Sequence, residues 1–131
     1  MIGLDTNVLV RYLTQDDPVQ SSRAAQSIEK GLTEGEAFFI ADIVICELIW
    51  VLETAYGCNR WEIIPVLENI LRTKQFHFQD KDILWKSLAA YRNNKGDFAD
   101  HLIGHVGQKT GCSETLSFDT ELKNNPAFRI I

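Results

Sequence analysis

Strand-length apolar runs alternate with segments of helical period along this chain, and that alternation restricts the fold more than any other feature of the sequence. "MIGLD" turns polar at "DTN", after which Val8, Leu9, Tyr12 and Leu13 mark a helix that Thr6 or Asn7 can cap. "QDDP" breaks the pattern, and Pro18 opens a second helix that reads through about residue 28 and ends near Gly31. "EAFFIAD" is the next strand-length run; a helix capped by Asp42 follows, closing by Gly57, and another covers about residues 60–72. "QFHFQD" alternates as a strand does. Asp80 or Asp82 then opens a helix carrying Ile83, Leu84, Leu88 and Tyr91, which "NNKGD" interrupts. A last helix from about residue 98 to 109 stops at Gly111, leaving "SETLSFD" and "AFRII" as strands. Strands interleaved with helices predict an α/β protein, a three-layer α/β/α sandwich with a mostly parallel central sheet. With 131 residues and no repeat or linker, residues 1–131 read as one domain.

In such sheets ligands bind beyond the carboxyl ends of the strands, which directs attention to the acids placed there. Asp5 follows the first strand, Asp42 and Glu47 the second, and Asp119 the "ETLSF" strand. Asp97 and Asp100 in "GDFADHLIGH" are three apart at the head of a helix, and so share a face. Glu47 sits inside "IVICELIWVL", where Ile43, Val44, Trp50 and Val51 are its neighbours one turn away and none can pair with it. Either it reaches water at the helix surface, or its burial has to be offset by a cation or a metal. Taken singly, the aspartates have plainer roles as caps and turn residues. Grouped at one sheet edge they would repel one another unless cations lay between them. Oxygen-only ligands suit magnesium or manganese, and the chemistry such ions serve is phosphoryl transfer.

A net charge of −5 excludes a strongly basic surface that coats nucleic acid, so any nucleic acid must be held locally or through metal. No run approaches membrane-spanning length, and the amino terminus lacks a basic segment followed by a cleavage site; the expectation is a cytoplasmic chain with no membrane role. Cys46, Cys58 and Cys112 are odd in number and widely spaced, which predicts reduced thiols, mostly in the core. His101 and His105 lie at i and i+4 without the glutamate of a zinc-protease motif, and read as helix-surface or interface residues rather than ligands. His77 reads as the outward residue of a strand. Arg11, Arg92 and Lys95 are the candidate phosphate contacts. Trp50, Tyr56, Trp61 and Trp85 read as core or dimer surface rather than as platforms for bases.

Four blocks in order, "LDTNVLVRYLTQDDP", "ICELIWVLETAYG", "GDFADHLIG" and "GCSETLSFDTELK", resemble the PIN-domain ribonucleases, and among them the VapC-type toxins of toxin and antitoxin pairs. The resemblance spans essentially the whole chain. It implies that Asp5, Glu47, Asp100 and Asp119 are the catalytic acids, with Asp97 as the accessory acid of the D-x-x-D motif, and that these five bind Mg2+ or Mn2+. Thr6, Asn7 and Ser117 would support the site, Ser117 standing where a threonine is usual in the "T-x-D" form. Further implications are an RNA substrate, a homodimer and a small antitoxin protein that blocks the site. Three other readings compete with this one. An aspartyl-phosphate phosphatase wants D-x-D, but Thr6 and Asn7 follow Asp5. A flap-type nuclease needs a longer chain, and a non-catalytic RNA- or protein-binding module would not need the full set of acids.

Overall fold

Backbone ladders form at each strand-length run, and they are shorter than the apolar pattern around them. The computed structural model describes residues 1–131, with β1 (Ile2–Gly3), α1 (Thr6–Thr14), α2 (Pro18–Thr33), β2 (Phe38–Phe39), α3 (Asp42–Thr54) and α4 (Arg60–Arg72) in the first half. Then come β3 (Phe76–His77), α5 (Lys81–Asn93), α6 (Phe98–Thr110), β4 (Thr115–Ser117), a 3-10 turn at Thr120–Leu122 and β5 (Phe128–Ile130). The chain divides into two units, one made of Met1–Cys58 with Asn69–Gln79 and the other of Asn59–Glu68 with Asp80–Ile131. No helix is long and apolar enough to cross a membrane.

In the first unit β1, β2 and β3 pair in parallel in that order, with Ile2 opposite Phe38 and Phe38 opposite Phe76. The rings of Phe38 and Phe76 meet edge to face at 6.2 Å, an arrangement that adds about 0.5–1.5 kcal/mol beyond the area it buries. Around them Leu9, Val10, Ile28, Ile45, Leu48 and Ile49 close the core. Helix α3 separates its faces by the helical period: Val44, Ile45, Leu48, Ile49 and Leu52 are buried, whereas Ile43, Glu47, Trp50 and Thr54 are exposed.

The second unit carries the parallel pair β4 and β5, with Thr115 opposite Phe128. Buried Leu84, Leu88 and Tyr91 of α5 belong to the same core as Phe98 and Leu102 of α6, and Tyr91 and Phe98 meet edge to face at 6.1 Å. Gly104 lets the chain at β5 approach α6 closely, since a Cβ there would lie 2.5 Å from the Phe128 ring and 3.0 Å from Ala127 Cβ.

The α/β class and the parallel pairing agree with expectation, but the strands form two ladders, one in each unit, and not a single hydrogen-bonded sheet. Two caps also move. Asp5, not Thr6 or Asn7, caps α1, and Ala41 rather than Asp42 precedes α3, because the cap is the residue whose backbone is still extended. Helix α2 runs past Gly31 to Thr33.

Candidate active site

Helix starts position most of the acids singled out in the sequence. In the first unit Asp5 is exposed, and its Oδ1 accepts the Thr6 N–H at 2.9 Å. Thr6 is buried and turns its hydroxyl to Glu47, donating to Oε1 at 3.0 Å. One threonine therefore links the head of α1 to the middle of α3 and has Asp5 and Glu47 as its two partners. Glu47 lies on the exposed face of α3, so it reaches water, and the apolar run around it belongs to the opposite face. The expectation that its burial calls for a metal is corrected by that exposure. Asn7 lines a cavity of about 560 Å³ together with Val8, Arg11 and Arg23.

In the second unit Asp97 caps α6 and forms a reciprocal capping box with Asp100, whose Oδ2 accepts the Asp97 N–H at a long 3.4 Å. Asp97 is exposed and Asp100 half-buried. Burial raises the Asp100 carboxyl above its ordinary range, and the negative charges of Asp97 and Asp119 push the same way against the bond from the Asp97 N–H. Asp119 begins the 3-10 turn: its Oδ1 accepts the Glu121 N–H at 2.9 Å, and its own N–H donates to Ser117 Oγ at 3.0 Å. The hydroxyl at position 117 thus holds the turn that presents Asp119.

Asp97 follows a loop that is fastened from inside. Arg60 donates to the carbonyls of Tyr91, Asn94 and Gly96, at 2.7, 2.5 and 3.1 Å, while its guanidinium lies 4.4 Å from the centre of the Tyr91 ring. His101 is fully buried, with Nε2 2.9 Å from the Lys95 carbonyl and Nδ1 2.8 Å from Asn125 Nδ2. A carbonyl only accepts, so Nε2 carries the proton and Nδ1 takes a bond from the Asn125 amide. Asn125 in turn accepts the Ala127 N–H at 2.9 Å. At Gly96 the backbone has φ +98°, and a Cβ there would stand 2.6 Å from Leu122, so the loop closes only around glycine.

Several expectations change on this geometry. His101 and His105 are core residues and not surface ones; His105 Nδ1 lies 2.9 Å from the buried Ser87 hydroxyl. Their spacing correctly puts them on one face of α6, and that face points inward. His77 is exposed on its strand, as read. The three thiols are free, but Cys46 and Cys58 are only half-buried and Cys112 is exposed. Burial, with the Asp42 charge adding to it, pushes the Cys46 thiol up to about 11, which leaves it unreactive. Trp50 and Trp61 are each 66% exposed and do not belong to the core. Tyr56 is tied inside the unit through its hydroxyl, which donates to Asp16 at 2.6 Å.

Among the candidate phosphate contacts, Arg11 is engaged by Asp16 at 3.1 Å and by Gln20 at 2.8 Å. Arg92 pairs with Glu68 at 3.2 Å, and Lys95 is exposed with no carboxylate partner. Sequence reasoning did not find Arg60, Asn125 or the inward role of His101. The groups they hold are some 30 positions away for Arg60 and sit in a turn for Asn125, and no local pattern marks such bonds.

The donor set is carboxylate oxygen throughout, and none of Asp5, Glu47, Asp97, Asp100 or Asp119 is engaged by a lysine or arginine. Within neither unit do three acid, histidine or cysteine side chains draw close enough to form a metal cage by themselves. Uncompensated oxygen donors of this kind fit a hard divalent cation that keeps part of its water shell.

Comparison with known proteins adds an independent finding. The sequence model of the PIN domain matches residues 2–127 of the chain. A VapC ribonuclease of Aquifex aeolicus (strain VF5) is 31% identical over 121 residues, which cover 92% of this chain and 88% of that protein.

Proposed function

The chain belongs to the PIN domain family, and from that premise we propose that it is a metal-dependent endoribonuclease, the toxin of a toxin and antitoxin pair, in which residues 1–131 act as one nuclease domain. The observation that carries the reading is the acid set itself: Asp97 and Asp100 face each other in one capping box, and no lysine or arginine engages any of the five acids, an arrangement of oxygen donors suited to a hard divalent cation. Asp5, Glu47, Asp100 and Asp119 would hold Mg2+ or Mn2+, with Asp97 beside them. When bound, such an ion supplies activation of water and neutralisation of charge on the leaving oxygen.

The chain's own residues have distinct tasks. Thr6 holds the Glu47 carboxylate toward the start of α1, and the Ser117 hydroxyl fixes the turn that carries Asp119. Arg60 and His101 keep the loop before Asp97 in one conformation, so that Asp97 and Asp100 need not be ordered at the moment of binding. Hydrolysis places the water oxygen on phosphorus and leaves the departing oxygen to take a proton. Lys95 and Arg92 are suited to the phosphates of the substrate, and Arg11 reaches one only by leaving Asp16.

The family resemblance and the similarity to a VapC ribonuclease support a small antitoxin as partner and the cytoplasm as the place of action. Exposed Ile43 and Trp50 on α3 support a homodimer, since an aromatic on an apolar helix face is favoured at interface cores. The decisive experiment incubates the purified chain with cellular RNA in magnesium, in manganese and in chelator. We expect cleavage with either ion only, and a loss of about 100-fold or more in Glu47→Gln and Asp100→Asn. Cleavage that survives in chelator, or in both variants, would sink the reading.

A further inference from the structure

We propose that a basic groove in the second unit is a nucleotide subsite for single-stranded RNA, where Lys95 and Lys123 hold phosphate and Trp61 stacks on a base. The inference rests on the ribonuclease reading and adds residues to it. The groove has a volume of about 560 Å³, within the roughly 300–1,000 Å³ of pockets that take small organic ligands, and so admits a nucleotide. Its basic lining is Arg60, Arg92, Lys95 and Lys123, against the single acid Glu121. On a chain of net charge −5, a groove whose lining is mainly basic favours an anionic ligand there.

The four differ in what they can offer. Arg60 is spent on three carbonyls and stiffens the wall, and Arg92 shares its charge with Glu68. Lys95 and Lys123 are exposed and pair with no carboxylate, so they are the free phosphate contacts. Trp61 lines the same groove with 66% of its surface exposed, and an indole left open beside two free ammonium groups matches the two faces of a nucleotide, flat base and charged phosphate. An acidic peptide would use the lysines and leave the indole idle.

Chain continuity connects the groove to the acids of the same unit. The wall at Asn93, Asn94 and Lys95 leads within two residues to Asp97, and Thr120 and Glu121 follow Asp119 directly. Bonds from Arg60 and His101 to that first wall fix the backbone of residues 94–96. A strand seated on Lys95 is therefore registered against Asp97 by a rigid spacer, which would make the groove the place where the substrate's path is set.

The test is equilibrium binding of a fluorescein-labelled, mixed-sequence, single-stranded RNA of about 12 nucleotides to the full chain, in chelator so that nothing is cut. Lys95→Glu and Lys123→Glu should each weaken binding about tenfold and flatten its dependence on salt. Trp61→Ala should weaken it about five- to 100-fold, while Trp61→Phe keeps most of the affinity. Thermal melts that match the wild type establish that the variants are folded. Unchanged affinity in all three disruptive variants, in a chain that cuts RNA with magnesium, overturns the groove and leaves the ribonuclease reading intact. A wild-type chain that binds no RNA overturns the groove as well, and one that in addition cuts none takes the ribonuclease reading with it. Equal competition by duplex RNA of the same length, whose bases are not free to stack, would overturn the role of Trp61.

Discussion

His105 is the side chain whose protonation the fold controls most strongly: burial lowers its pKa to about 4, with the Lys86 and His101 charges adding to the shift. The folded pKa lies below the unfolded value of about 6.5, so the stability it contributes is complete above pH 6.5 and is lost as pH falls toward 4. Thermal or urea melts of the wild type should weaken over that window by up to about 1.4 kcal/mol per pH unit from this residue, and His105→Gln should remove that part of the slope. An identical slope in the variant would count against the buried, neutral state. The opposite sign holds at Asp100, whose carboxyl is raised. A raised carboxyl favours the fold while protonated, and that support disappears as pH climbs through its range, so in chelator at pH 7 Asp100→Asn should melt above the wild type. Glu47→Gln changes an exposed group and should shift stability by no more than about 0.5 kcal/mol. At this scale the sequence is a partial guide. It identifies the acids by type and order, but i, i+4 spacing says only that two histidines share a face, and nothing local told which face of α6 is buried.

Among the elements, the loop that ends at Asp97 depends on contacts remote in sequence. Arg60 lies on α4 and its three acceptors lie at the end of α5 and just beyond, so truncation leaves carbonyls without their charged donor. Arg60→Ala should lower stability by about 2–4 kcal/mol and reduce cleavage through a loosened Asp97, whereas Arg60→Lys should recover only part of both, because a single ammonium nitrogen lacks the planar, two-nitrogen reach by which the guanidinium spans the three carbonyls and the Tyr91 ring. Gly104→Ala is a cleaner probe of packing. Its new methyl would press on the Phe128 ring and cost about 1–3 kcal/mol by denaturant melts, with β4 and β5 disturbed and no acid touched. Helices and strands are largely legible because their apolar periods differ, and the approximate span 60–72 agrees with α4. Caps were less so, since Thr6 and Asp42 are good capping types but the backbone at Asp5 and Ala41 decides where the helix begins.

For the whole molecule, the excess of acid is the governing property. On a chain of net charge −5, the proposed binding of divalent cations to the folded state alone would add stability, about 2.7 kcal/mol at 100 times Kd. Melting temperatures should therefore rise from chelator to saturating magnesium, and that rise should shrink in Asp100→Asn; coincident melts would refute the proposed metal site. An antitoxin that inserts an arginine among the acids should do in the protein complex what magnesium does alone, because the guanidinium fork matches paired carboxylates. Co-expression with such an antitoxin should then restore growth to cells that the chain alone inhibits, and the purified complex should bind magnesium more weakly than the free chain.

The proton on His101 Nε2 offers a consequence of a different kind. It sits between a fully buried ring and the Lys95 carbonyl, while Nδ1 is closed by the Asn125 amide, so one tautomer is enforced and solvent is kept from both nitrogens. Such a proton exchanges slowly enough to give a resolved resonance in a nuclear magnetic resonance spectrum, well apart from the amide envelope. Because its acceptor is the backbone of the residue whose ammonium faces the groove, that single line would follow the order of the loop during titration with ions or oligonucleotide, with no label added to the chain.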